Sequence, residues 1–173
     1  EFPQGIASFA DEVVGWGPGA DTVFPYNVTN AILGAPDFNG NIYANPPAYL
    51  SLGRQGSVAV KFTDNSLTTS GDNALDLWVF EIGPAVEATN VYISTNGTDW
   101  ISVGSVAGST YGVDIDSFIG PGGVTLWQQY SYVMLVDIYG ASGYPFAGAD
   151  IDAVGAISSA PPVTTPEPIT LLM

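Results

Sequence analysis

Asp150 and Asp152 stand two residues apart in Ala149-Asp-Ile-Asp-Ala-Val-Gly-Ala-Ile157, a stretch with the apolar character of a strand. That spacing puts both carboxylates on one face. Asp76 opens and Glu81 closes a second such stretch, Asp76-Leu-Trp-Val-Phe-Glu81, and Asp137 lies near the end of the apolar run Tyr132–Tyr139. Asp64 and Asn65 end a third strand pattern, and Asp72 and Asn73 occupy the loop after it. Carboxylates gathered at strand ends repel one another unless a cation or a proton lies between them. Calcium takes about six to eight hard oxygen ligands, backbone carbonyls included. We therefore expect one structural Ca²⁺ site or a pair, built from Asp64, Asn65, Asp72, Asp76, Asp150 and Asp152, with Glu81 and Asp137 as lesser candidates. The plainer reading of any one loop Asp is a turn former that also keeps the chain soluble. The fixed spacing of an EF-hand loop is not present.

Paired carboxylates also serve glycoside hydrolysis. Such a pair usually works in a cleft supported by Arg, His and Trp, whereas this chain has Arg54 as its one arginine and no histidine. No nucleophile stands beside a base, so we expect no enzyme. Four Trp and nine Tyr offer flat faces on which a sugar could stack. Trp78 and Trp100 sit within strand patterns and read as core. Trp16, Tyr43 and Tyr49 border Gly/Pro turns and are the candidates for sugar contact.

Composition narrows the partners. Seventeen acids face two bases, Arg54 and Lys61, for a formal charge of −15. Nucleic acid and anionic membrane surfaces both require a cationic face, so both are excluded. There are no cysteines, hence no disulfides and no thiolate sites. Few Lys, no Cys and abundant Thr, Ser, Asn and Gly suit an extracellular or cell-surface bacterial protein.

The elements that must position these residues are short strands. With 21 Gly and 13 Pro among 173 residues, the chain is punctuated too often for long helices. The centre is the span 76–104. There Val91, Ile93 and Thr95 alternate with Tyr92 and Ser94, Asn96-Gly97 marks a tight hairpin turn, and Trp100, Ile101 and Val103 return. Further strands are expected at 10–16, 22–26 (weakened by Pro25), 30–37, 49–53, 57–63, 132–139 and 149–157. Residues 66–75 and 105–125 read as loops. In 57–63, Val58, Val60 and Phe62 should face inward. Many short strands joined by turns indicate an all-β chain, an antiparallel β-sandwich of jelly-roll type. It would span 10–157, with an N-terminal arm over 1–9 and a Pro/Thr-rich tail over 158–173.

Two segments resemble known families. Thr165-Pro-Glu-Pro-Ile-Thr-Leu-Leu resembles the start of a PEP-CTERM sorting signal, in which Pro166, Glu167 and Pro168 would precede a membrane helix and a basic cluster; neither follows here. Leu33-Gly-Ala-Pro-Asp, Phe62-Thr-Asp-Asn, Asp76-Leu-Trp-Val-Phe-Glu and Ala149-Asp-Ile-Asp-Ala-Val-Gly resemble the globular domain of such exosortase-sorted surface proteins. Val91-Tyr-Ile-Ser-Thr-Asn-Gly-Thr-Asp-Trp100 is similar to the strand–turn–Trp of discoidin and galactose-binding-like jelly rolls. The resemblance implies a surface domain that is often calcium-stabilised and sometimes sugar-binding. The resulting expectation is a calcium-stabilised structural protein of the cell surface or biofilm matrix, self-associating through its N- or C-terminal segments by strand addition. The alternative is a carbohydrate-binding module that takes a polysaccharide.

Overall fold

Alternating apolar residues give the chain two sheets that share one interior. In the structure, a computed structural model, residues 1–82, 87–106, 111–138 and 143–163 are described. The strands are β1 Glu12–Gly17, β2 Leu50–Ser51, β3 Ser57–Lys61, β4 Ser66–Leu67, β5 Leu77–Glu81, β6 Thr89–Ser94, β7 Ile101–Val106, β8 Tyr111–Val113, β9 Tyr132–Asp137, β10 Asp150–Ala156 and β11 Ser159–Ala160. One sheet runs β1-β3-β9-β6-β7, the other β2-β10-β5-β8, and β11 pairs with β4. Every pairing between named strands is antiparallel. The chain is thus the expected all-β antiparallel sandwich.

Val58 and Val60 of β3, Val91 and Ile93 of β6, and Val133 and Leu135 of β9 belong to the same buried cluster as Leu77 and Val79 of β5 and Ile151, Val154 and Ala156 of β10. Phe62 joins them just beyond β3, as its alternation requires. On the outer face of β5, Phe80 meets the N-terminal arm. Phe2 and Phe9 lie 4.6 Å apart and 5.7 and 6.1 Å from Phe80. Phe9 also bridges to Gly155, where a side chain would collide with both Phe2 and Phe9. Residues 1–9 therefore lie on the chain's own body.

Several elements differ from the sequence reading. Residues 22–26 form turns, and 30–37 holds a short 3-10 turn, Thr29–Ile32, in place of a strand. That turn buries Ile32 completely, so its apolar residues reflect burial without extension. The polar 66–75 segment contains β4, whose Leu67 is fully buried and exchanges both backbone hydrogen bonds with Tyr130. The Gly-rich 105–125 segment contains β8 and a 3-10 turn, Ile115–Phe118. The tail begins as β11, so its first residues are held against β4. The hairpin turn is longer than two residues: Asn96 Oδ1 accepts from Thr98 and Asp99 N–H, and Gly97 alone has positive φ, at 77°. Pro166, Glu167 and Pro168 lie outside the described residues.

Candidate functional site

Two loops at the β2 side of the sandwich assemble a stack of aromatic rings. Tyr49, fully buried ahead of β2, donates its hydroxyl to the Ile42 carbonyl at 2.6 Å. Burial pushes its pKa up, with the Asp150 carboxylate adding to the shift. Tyr26 stacks on Tyr49 at 5.7 Å, and Phe146 meets Tyr26 edge-on at 4.8 Å. Tyr43 meets Phe146 edge-on at 5.5 Å. In the same loops Phe24, Tyr43 and Tyr144 are 78%, 70% and 74% exposed; Tyr43 is the one with a ring contact to this base, and Phe24 and Tyr144 stand two residues from Tyr26 and Phe146 in the chain.

The loops are held from both sides. Asn39 Oδ1 accepts from Asn41 N–H and Asn41 Oδ1 from Tyr43 N–H, each at 3.1 Å. Asp152 accepts from the amides of Asp37 at 3.1 Å and Phe38 at 3.3 Å. The second loop is tied down through Gly53 N–H to Ala147 O and Leu52 N–H to Ala149 O. Arg54 pairs with Asp21 at 2.8 Å beside the same loops. Three exposed rings on loops tied to an aromatic cluster, Tyr43 in direct contact with it, offer apolar faces where a planar or ring-shaped ligand can stack.

The expected sugar contacts divide accordingly. Tyr43 is in place. Tyr49 is a support beneath the surface, because its backbone enters β2 and carries the ring inward. Trp16 lies in β1 opposite Val58 and packs half-buried on the core, so strand pairing has taken it from the surface. Phe24 and Tyr144 were missed; both precede proline between turn residues, a pattern that marks loops without telling exposed from buried rings. Trp127, 62% exposed, lies elsewhere, over Gly71.

The six expected calcium ligands do not meet at one place. Asp64 is exposed, and Asn65 is buried near Gln4 and residues 159–161. Asp72 is exposed and closes its own turn by accepting from Ala74 N–H at 2.7 Å. Asp152 is spent on the 37–38 amides; burial raises its pKa, and those amides oppose the shift. Asp76 is fully buried and joins Asp114 and Asp116, with carboxylate oxygens of all three within 4.8 Å of one another. Burial raises the Asp76 pKa, opposed by hydrogen bonds that include Ile115 N–H, while the Asp116 charge adds to the rise. Backbone and hydroxyl donors serve most of this triad: Ser70 and Gly71 N–H for Asp116, Asp116 N–H and Ser117 Oγ for Asp114. It therefore reads chiefly as a bracket joining the start of β5 to the Ile115–Phe118 turn.

Asp150 belongs to a different group, with Glu81, Glu87 and Asp137, all at most 7% exposed. Burial raises Glu81 to about 9, reinforced by the charges of Glu87 and Asp150. Burial also raises Asp150 to about 7; the Ser51 hydroxyl, which donates to it in a short hydrogen bond, pulls the other way, and Glu87 and Asp137 add to the rise. The two lesser candidates thus gather where most of the favoured ones do not.

No family model matches the chain, and no curated protein matches it. Among solved structures it is similar to one described as CpGH89CBM32-6 produced by Clostridium perfringens, at 11% identity and a TM-score of 0.46. The match covers 87% of this chain and 94% of that one, and a likeness so slight says nothing of function.

Proposed function

We propose that the chain is a non-catalytic carbohydrate-binding domain of the cell surface or extracellular space, taking its ligand on Phe24, Tyr43 and Tyr144. The observation that carries this reading is three loop rings at least 70% exposed, of which Tyr43 packs edge-on against a cluster of three more aromatic residues, Tyr26, Tyr49 and Phe146. Leaving large aromatic rings in water forgoes the roughly 1.5–3 kcal/mol available from burying each one. Tyr43, held edge-on against Phe146, also loses little freedom when a ligand arrives. With a net charge of −15, the domain repels anionic polysaccharides, so the ligand class is neutral glycans.

Surface location rests on the sequence: the PEP-type motif at Pro166–Pro168, the absence of Cys and the acidic, Lys-poor composition. Self-association through the arm is the weaker reading, since Phe2 and Phe9 already pack on the chain's own Phe80. The test is migration in native gels cast with neutral polysaccharides. Retardation of the wild type that is lost in F24A/Y43A/Y144A, at an unchanged melting midpoint, supports the reading. Equal migration of both proteins in every gel overturns it.

A further inference from the structure

We propose that Asp76, Asp114 and Asp116 form a binding site for a divalent cation of the calcium class at the end of the sandwich where β5 begins. The fold brings them together because β5 and β8 are antiparallel neighbours. Leu77 pairs with Val113, so the residue just before β5 and those just after β8 meet at the same end. Asp76 N–H donates to the Val113 carbonyl at 2.9 Å, and the Asp76 carbonyl accepts from Ile157 and Ser158 N–H just after β10. The Asp76 side chain is thereby turned toward the Ile115–Phe118 turn, where Ile115 N–H donates to its Oδ2 at 2.9 Å. One carboxylate oxygen from each of the three residues lies within 4.8 Å of the other two. A calcium ion about 2.3–2.6 Å from each ligand oxygen can span such a group.

An orphaned atom points to the ligand. Asp76 is fully buried, and no donor meets its Oδ1 in hydrogen-bonding geometry. The Ser70 and Ser158 hydroxyls stand beside this carboxylate. Ser70 gives its one hydrogen to Asp116 Oδ2 at 3.1 Å, so it shows Asp76 a lone pair. A buried carboxylate without a counter-ion is strongly unfavourable. Neither basic side chain of the protein supplies one: Arg54 pairs with Asp21, and Lys61 lies over the Tyr132 ring. The donors that make the triad a bracket also orient it. Asp116 N–H holds Asp114 Oδ1 at 3.0 Å, and Gly71 N–H holds Asp116 at 3.2 Å. A carboxylate offers about four lone-pair sites, so these bonds do not exhaust it. Asp114 and Asp116 are half-buried, which leaves an approach for an ion with its waters. Three carboxylates and a hydroxyl, without nitrogen or sulfur, select a hard cation, and their irregular disposition suits calcium better than the strict octahedron of magnesium. The site is independent of the aromatic surface and does not rest on the glycan reading.

The test is the melting midpoint of the full chain in EDTA and in ~10 mM CaCl₂, with calorimetric titration of Ca²⁺ beside it. Calcium at a hundredfold excess over Kd is expected to raise the wild-type midpoint by roughly 5–10 °C. Asp76→Asn removes the buried charge. Asp114→Asn removes a half-buried one and keeps an acceptor for Asp116 N–H. Each should lose most of the calcium response and give no binding heat; if Asp76→Asn does not fold, Asp114→Asn decides alone. Glu81→Gln, at the far end of β5, should keep both the response and the heat. A wild type that neither shifts nor gives heat overturns the proposal and leaves the triad a bracket alone. A full calcium response in Asp114→Asn, or its loss in Glu81→Gln, overturns it too, by placing the cation elsewhere.

Discussion

Raising the pH of the metal-free protein from 6 to 9 should destabilise it, and this chain isolates the cause unusually well. It has no His and no Cys, so apart from the α-amino group nothing with an ordinary pKa titrates in that window. Glu81, at about 9 in the folded protein against 4.5 ordinarily, remains protonated through most of the window when folded and is ionised when unfolded. The folded state therefore holds more protons, and stability falls as pH rises toward the folded value. Each pH unit costs ~1.4 kcal/mol per proton. Glu81 and Asp150 repel Glu87 and each other, so they titrate as one group and are counted as one proton. Three pH units then remove ~4 kcal/mol, or roughly 8–16 °C of melting midpoint for a chain of this size. The assay is thermal unfolding in EDTA at half-unit steps, repeated in high salt to screen the general acidic repulsion. Glu81→Gln should flatten the slope. A wild-type midpoint that is level or rising from pH 6 to 9 would refute the buried, mutually repelling carboxylates.

Two stability predictions concern the frame. Leu135→Ala removes a fully buried side chain from the middle of the five-stranded sheet and should cost about 2–5 kcal/mol in urea unfolding. Gly56→Ala should destabilise at least as much, since its Cβ would overlap the Leu52 carbonyl oxygen and press on Gly19 N; soluble yield and hydrogen exchange at residues 52–56 would report it.

The sandwich was legible where side chains alternate. Val58, Val60 and Phe62 read as inward-facing and are buried. The Tyr132–Asp137 run and the Leu77–Glu81 stretch are interior strands, each of its own sheet, as apolar strands should be. Alternation failed for two-residue strands: β4 and β11 are too short to show a period, and only Tyr130 and the returning tail define them. The acidic residues were legible as a class but not as a site. Asp152 and Asp150 are two apart, yet a register shift between Ile151 and Ala153 separates their partners, and a bulge leaves no mark in composition. The signal that finds Glu81 and Asp137 is positional: each is the third inward residue after two apolar ones. The exposed rings had no periodic signal, because loops at 18–49 and 143–148 meet only through the fold.

The central claim is that Phe24, Tyr43 and Tyr144 receive a neutral glycan. The most direct measurement is an array of neutral hexose and N-acetylhexosamine oligosaccharides probed with the wild type and with F24A, Y43A and Y144A singly. The wild type should bind at least one neutral ligand while ignoring uronic-acid and sulfated ones. Each single variant should weaken that signal by roughly 5- to 30-fold, the loss of about 1–2 kcal/mol for one stacking ring. Binding that survives all three substitutions, or that is confined to anionic glycans, would contradict the claim.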